Sequence, residues 1–392
     1  MWFTGLLNIS WIGCITYTLI LTHITMVSVS IYLHRTEAHR SLTLHPIISH
    51  FFRFWLYLTT GMKTIEWVAI HRKHHAKSDT TEDPHSPQIY GIKTLLLEGA
   101  DLYRSAKREP GLLEKYGKNT PNDWIEKNVY QVKFLDGKLG IFLMLFLNIV
   151  LLGFFRGIMI WSIQMMWTPF FAAGIINGIG HWWGYRNFEC ADTSTNIFPL
   201  GILIAGEELH NNHHAYGKSA KFSNKWWEFD IGWMYIIFMK FLGLAKIKRL
   251  YPIEIISKEK KEVDFETLKA ILTNRIQVIS RYKKQVIKPL FYNHNYINLT
   301  LKDYNLICRH EILTSNKEKE YIKSVLSIHK ELETLIFFRE KLKKLWSKTT
   351  VSHKELLDDL KEWIKKAEES GLKSLQEFAF FVKSYTIHNP LF

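Results

Sequence analysis

The stretch WIGCITYTLILTHITMVSVSIYL (residues 11–33) runs without a break into HRTEAH (residues 34–39). No Lys, Arg, Asp or Glu occurs from Met1 to Leu33, and the apolar run exceeds the ~20 residues that cross a bilayer. It lacks a basic leader and outlasts the apolar core of a signal peptide, so it reads as a retained span. The polar chemistry begins where the run ends, at His34 and His39.

The same pattern recurs along the chain. Residues 47–70 form a second apolar stretch, interrupted by Arg53, Lys63 and Glu66, and lead into His71-Arg72-Lys73-His74-His75. Residues 139–156 and 158–180 are two more, with Arg156-Gly157 between them as the expected tight turn. The last of these carries Asn177-Gly178-Ile179-Gly180-His181 at its end. Residues 197–209 and 226–244 are short amphiphilic pieces. The first precedes His210-Asn211-Asn212-His213-His214, and the second carries Trp226, Trp227 and Trp233, placed like interfacial anchors. Residues 71–138 are polar, with Pro and Gly punctuation, and read as an aqueous connection. Beyond Leu250 the composition turns to Lys, Glu and Leu at helical spacing, as in residues 317–346 and 353–369. The expected architecture is all-α: an integral membrane helical bundle of three to four spans over residues 1–250, and a basic helical extension over residues 251–392.

Nine of the 18 histidines lie in these four clusters, each at the end of an apolar stretch. Positions i, i+3 and i+4 share a helix face, so His71, His74 and His75 are expected to aim at one point, as are His210, His213 and His214. Asn177 and His181 are i, i+4 neighbours. His34 and His39 lie about 140° apart on an ideal α-helix, so they are expected to reach two metals or straddle a helix end. A lone histidine is usually an ordinary polar residue, and His23, His45, His50, His85 and the five histidines of the tail keep that reading. Nine clustered imidazoles buried without partners would be costly, and imidazole binds iron, zinc and copper well. One site requires all four clusters on one side of the membrane. Residues 139–180 satisfy this as a two-span hairpin. Residues 47–70 cannot be a single span, and must lie along the interface or dip in and return.

The chain carries a net charge of +14, of which residues 246–392 supply +10, with 29 Lys+Arg against 19 Asp+Glu. A solvated helical surface accounts for this. The functional alternative is attraction to anionic headgroups or an acidic electron donor. No nucleic-acid motif accompanies the charge. Three scattered cysteines, Cys14, Cys190 and Cys308, make neither a disulfide framework nor a zinc site.

The order His-x4-His, His-x2-His-His, Asn-x3-His, His-x2-His-His, over roughly residues 20–245, resembles the membrane fatty-acid desaturase family, and within it the delta-9 acyl-lipid and acyl-CoA type, closest to bacterial acyl-lipid members. Glu66-Trp67, Asp83-Pro84-His85 and Gly206-Glu207 add matching context. The resemblance implies a non-haem diiron cap on the cytoplasmic face of the membrane (the cell inner membrane if bacterial), with His34, His39, His71, His74, His75, His181, His210, His213 and His214 as iron ligands. It implies a metal-bound water on Asn177, with Asp83 and Glu207 accepting hydrogen bonds from ligand imidazoles, as metal-bound histidine generally requires. The implied reaction introduces a cis double bond, delta-9 by resemblance, into a saturated acyl chain with O2 as co-substrate. An unactivated methylene has no acidic proton, so the chemistry belongs to metal cofactors while the protein positions the chain.

No haem, flavin-binding or iron–sulfur motif is present, so electrons are expected from a separate ferredoxin-, flavodoxin- or reductase-type donor. The alternative within the superfamily is another diiron oxygenase such as a fatty-acid hydroxylase. A metal transporter would place its ligands mid-span, and a zinc hydrolase needs about three protein ligands. Two departures from the family stand out. Only 33 residues precede His34, which predicts one span there where the family commonly has two. The Arg-Arg pair that follows Asp-Pro-His in animal acyl-CoA enzymes is replaced by Ser86-Pro87-Gln88-Ile89-Tyr90, which moves the expected substrate from acyl-CoA toward a membrane phospholipid.

Overall fold

The structure is a computed structural model describing residues 4–132, 137–257, 259–292, 299–347 and 352–387. It divides into two compact units: Met1–Arg186 with Asp192–Tyr251, and Asn187–Ala191 with Pro252–Phe392.

In the first unit, helix α1 covers Trp11–Ala38. Ser10 caps it by accepting from the Gly13 amide at 3.1 Å. Four of its hydroxyls need no water, because Thr18, Thr22, Thr25 and Ser28 donate to carbonyls one turn back at 2.7–2.9 Å, a standard way of satisfying such groups in an apolar helix. From Val29 to Ala38 the helix relaxes to π pitch, and the His39 amide donates to the His34 carbonyl five residues back at 3.0 Å. Helix α2 (Pro46–Thr59) and helix α3 (Thr64–Lys77) follow, separated by a break containing Gly61 at φ +61°. The 47–70 stretch is therefore two helices, and the break lets the chain bring His71 back to His39. Arg53 of α2 is buried and paired with Asp123 at 2.6 Å and Glu126 at 2.8 Å.

The polar segment is more than a connection. Within it helix α4 (Ile92–Ala106) packs Leu95 and Gly99 inward. It lies so close to the π segment of a later helix that a Cβ on Gly99 would meet the Ala173 Cβ at 2.7 Å.

Helices α5 (Leu139–Leu152) and α6 (Phe154–His181) form the hairpin, but the turn is not at Arg156-Gly157. The chain reverses at Gly153, where φ is +87°. Arg156 lies in the first turn of α6 and donates to the Ile9 carbonyl at 2.7 Å. Gly157 serves helix contact instead, since a Cβ there would sit 2.6 Å from the Ile149 backbone nitrogen. Asn148 bridges the buried faces, accepting from Tyr17 at 3.0 Å and donating to Gln164 at 3.1 Å. Among the described residues α1 and α6 are the two helices long and apolar enough to cross a membrane. Their outer faces expose Ile12, Ile15, Leu19, Phe155 and Met166, apolar surface of a kind that marks a contact region.

Short helices α7 (His210–Ala215) and α8 (Ile231–Phe241) complete the unit. A two-stranded pairing of Leu42–Leu44 with Ala245–Ile247 ties the segment after His39 to the end of the unit.

The second unit has its own helical core. Ile271, Val278, Tyr282, Leu335, Leu342, Leu360, Phe378 and Tyr385 are fully buried in it, and the Tyr282 hydroxyl donates to the Leu335 carbonyl at 2.7 Å. Thr300 with Asp303 and Ser315 with Glu318 form capping boxes, as such spacing predicts. Many surface lysines pair with glutamates one turn away, including Lys330–Glu333 and Lys365–Glu369. His294 and His388 lie outside the described residues.

Replacing Arg53 by Met would leave Glu126 buried without its cation. Breaking a buried pair from one side costs about 3–5 kcal/mol. The expected outcome is a clear fall in apparent melting temperature in detergent, partly recovered by adding Glu126→Gln. An unchanged melting temperature for Arg53→Met would contradict this reading of the core.

Candidate metal centre

Four elements bring the histidines together: the π end of α1, the C-terminal half of α3, the last turn of α6, and α7. The nine imidazoles form two groups. His34, His39, His71, His75 and His213 are one, and His74, His181, His210 and His214 are the other, with the ligand nitrogens in each all within 4.8 Å of one another.

This grouping corrects one expectation and decides another between its alternatives. Each His-x2-His-His triad divides between the groups. His71 and His75, and likewise His210 and His214, are i, i+4 pairs that point the same way. His74 and His213 stand about 100° from the histidine that follows each of them on a helix and join the opposite group. His34 and His39 do share one group, with ring centroids 4.9 Å apart. Of the two arrangements expected for this pair, straddling a helix end is the one found: the helix closes at Ala38 with π pitch, and His39 is its cap residue, its amide bonded to the His34 carbonyl.

The ring nitrogens face one another. His39 Nε2 lies 2.8 Å from His71 Nε2, and His213 Nε2 lies 2.9 Å from both His34 and His75 Nε2. In the second group His181 Nε2 lies 3.1 Å from His210 Nε2 and 3.3 Å from His214 Nε2. A metal bonded to two adjacent imidazoles at roughly 2.0–2.1 Å holds their nitrogens about 3 Å apart. The Nε2 of His74 is buried without a hydrogen-bond partner, as an inward metal ligand would be. The donor set therefore fits one metal ion in each group.

Outer acceptors hold four of the rings. His34 Nδ1–H donates to Glu207 at 2.7 Å, and His74 Nδ1–H to both oxygens of Asp83 at 3.0 Å. Asp79 accepts from His181 at 3.0 Å and Asp192 from His214 at 2.9 Å. Asp83 and Glu207 were expected here. Asp79 and Asp192 were not, because neither has a helical spacing to the imidazole it serves; only the position of Asp79, four residues after His75, hints at a role. His85, read from sequence as an ordinary polar residue, is buried against His74, with ring centroids 4.4 Å apart and its Nε2 unpartnered.

Electrostatics follow from this placement. Burial, then neighbouring imidazoles, hold His71, His75, His210 and His213 well below the ordinary imidazole range. Burial lowers His39 to about 3, aided by His214, Arg72 and Lys218. Each is thus neutral at physiological pH, with a lone pair to offer. Burial also opposes charge on His74, but Asp83, Asp79 and Asp192 outweigh it and raise that imidazole. Asp79, Asp83 and Asp192 lie below the usual carboxylate range, because their imidazole partners overcome the opposing effect of burial. Glu207 is pushed up to about 8 by burial, with Arg35 opposing.

A cavity of about 520 Å³ adjoins the histidines, within the usual size of a small-molecule site. His34, His71, His85, His210, Asn177 and Glu207 line its inner part, and Val29, Trp67, Ile70, Met165, Ala172 and Ile176 its apolar walls. Lys63, Arg104, Lys107, Arg108 and Lys138 line it as well, with Arg104, Arg108 and Lys138 exposed. The absence of an Arg-Arg pair after Asp83-Pro84-His85 thus does not leave the cavity without cations.

The family model described as fatty acid desaturase matches residues 9–245. A second, described as transposase, matches residues 268–388; it is confined to the helical second unit and does not touch the histidine clusters. The chain is 31% identical over 242 residues to the delta-9 acyl-lipid desaturase 1 of Arabidopsis thaliana, covering 61% of this chain and 75% of that protein. It is 32% identical over 243 residues to the sn-1 stearoyl-lipid 9-desaturase of Anabaena variabilis, covering 61% and 84%. An acyl-CoA 5-desaturase of Anemone leveillei is 32% identical over 217 residues, covering 54% and 64%. With the family match spanning every histidine of both groups, the chain belongs to the fatty acid desaturase family.

Proposed function

We propose that this chain introduces a cis double bond at the delta-9 position of a saturated acyl chain carried on a membrane lipid, with O2 as co-substrate and two irons as the resident cofactor. The observation that carries this reading is the convergence of nine imidazoles, in groups of five and four, beside an apolar-walled cavity. The delta-9 position and the lipid carrier are supported by the names of the relatives from Arabidopsis thaliana and Anabaena variabilis.

In this reading His34, His39, His71, His75 and His213 hold one iron, and His74, His181, His210 and His214 the other. Bound iron with O2 supplies the oxidising power to take two hydrogen atoms from adjacent methylenes. Two electrons come from the substrate and two from a separate donor of ferredoxin, flavodoxin or reductase type, and O2 leaves as two waters. The residues of this chain do the rest. Asp83, Glu207, Asp79 and Asp192 fix the tautomer and orientation of their imidazoles. Asn177 holds a water at the metal site. Trp67, Ile70, Met165 and Ile176 exclude bulk water from the acyl chain. Arg104, Lys107 and Arg108 receive an anionic headgroup, since guanidinium and ammonium groups bind phosphate through charge-assisted hydrogen bonds. Residues 1–250 form the desaturase domain, with three to four spans and the histidines on the cytoplasmic face, and residues 251–392 form a basic helical extension.

Three measurements test this. Purified protein should carry about two irons per chain, imidazole being a good iron ligand, and His74→Ala or His213→Ala should abolish product while membrane insertion persists. Normal product from either variant would exclude the site. Reporter fusions after Arg40, Thr80 and Ala215 should all report the cytoplasmic side, and one report from the far side would break the single-site topology. For the carrier, labelled saturated phospholipid should become unsaturated in a pulse–chase while acyl-CoA synthesis is blocked. Unsaturation that appears only when acyl-CoA is supplied would assign the cations to that carrier instead.

A further inference from the structure

The two histidine groups differ in what stands behind them. In the four-histidine group three rings are held by buried or nearly buried aspartates: His74 by Asp83, His181 by Asp79 and His214 by Asp192. In the five-histidine group the one carboxylate bonded to a ring, among the described residues, is Glu207 on His34. The aspartates are themselves built in. Asp79 adopts φ +60°, a backbone conformation uncommon for a residue with a side chain. It accepts from the Thr193 amide at 2.7 Å and the Thr193 hydroxyl at 2.8 Å as well as from His181. Its own amide donates to Asp83 at 2.7 Å, which links two of the three acceptors. Asp192 also accepts from the Ser194 amide at 3.0 Å. Glu207 likewise accepts from the Ser30 hydroxyl at 2.5 Å, as Asp79 does from Ser86 and Asp192 from Ser194, so the groups differ in the number of carboxylates behind the rings and not in how each is held.

We infer that the two metal positions are unequal, and that the four-histidine position is the tighter one, filled first and emptied last, with Asp79, Asp83 and Asp192 as the positioning residues responsible. The inference rests on the reading of these histidines as metal ligands. A fifth imidazole adds a neutral donor to the other group, but no charge. Three carboxylates set just behind the ligand rings, out of bulk water, offset the charge of a divalent cation where solvent screening is weak. Each also increases the basicity of the imidazole it holds, and loss of one such acceptor typically weakens metal binding about 10–100-fold.

The test is anaerobic titration of metal-free, full-length protein in detergent with Co(II), read by its visible absorption. Two steps are expected, separated by about tenfold or more in affinity, the size of one outer-acceptor effect. Asp79→Asn and Asp192→Asn should each weaken the first step about tenfold and spare the second, whereas Glu207→Gln should act on the second alone. His74→Ala should remove the first step and His39→Ala the second, which assigns each step to its group. Uptake of two equivalent Co(II) ions in the unaltered protein would overturn the inference while leaving the metal site standing, and that measurement depends on no variant folding. The inference also fails if the aspartate variants weaken only the second step. Absence of any Co(II) uptake would overturn the metal site itself.

Discussion

Nine imidazoles packed together can serve one centre in one arrangement: each with a ring nitrogen turned inward, and its outer N–H given an acceptor wherever one can be reached. The first unit is organised around that constraint. Every element that carries a ligand ends or turns at the site, and the packing between elements fixes where those ends meet. Arg35 shows how tightly. It follows His34, is fully buried, pairs with Asp230 at 3.0 Å and lies 3.9 Å from the centre of the Phe222 ring. Asp230 in turn caps α8 by accepting from the Trp233 amide at 2.9 Å. A Cβ on Gly232 would lie 2.0 Å from the guanidinium, so the backbone has been brought to the cation and not the reverse. Removing a charge from such a pair leaves the other uncompensated, so the end of α1 is held in place by the same physics that makes it hard to bury.

Much of the site was legible in the sequence, because histidine spacing maps directly onto helix faces. The nine ligand candidates could be named from their clusters, and the two acceptors Asp83 and Glu207 from the family resemblance. What spacing could not give was the partition into two groups. On an ideal helix His71 lies about 40° from His75 and about 60° from His74, too small a difference to sort one metal from two. Which of the two expected arrangements His34 and His39 take was hidden for another reason. A change from α to π pitch is set by packing around residues 29–38, and no residue in that stretch signals it. The hairpin turn was misplaced because two glycines, Gly153 and Gly157, stand close together. One supplies the positive φ and the other the close approach, and composition does not distinguish those uses. Asp79 and Asp192 reach their imidazoles through tertiary structure alone.

The second unit shows the opposite balance. Its helical periodicity, capping boxes and one-turn Lys–Glu pairs are local features, so its secondary structure was readable from sequence. Its charge is largely what a solvated helical surface requires, and exposed pairs of this kind contribute little individually. The transposase-family similarity of residues 268–388 lies wholly within this unit.

The cavity shows why a local sequence window is a poor guide to the charges around a site. Arg104, Lys107 and Arg108 follow His75 by too many residues to look like part of the histidine site, yet they line the same cavity as His71 and His210. Helix α4 makes the connection. Gly99 lies against Ala173, and a Cβ on Gly178 would meet Ile92 at 3.2 Å and Leu95 at 3.3 Å. Small residues thus let α4 approach the π segment of α6 closely, as small residues do between helices in apolar surroundings. That segment carries Asn177 and ends near His181. One rigid contact therefore sets the distance between the cations at the end of α4 and the imidazoles at the end of α6. In the proposed reading, a chain anchored by its headgroup would present to the histidines the methylenes that this distance selects, and the glycine packing would set it together with the walls of the cavity.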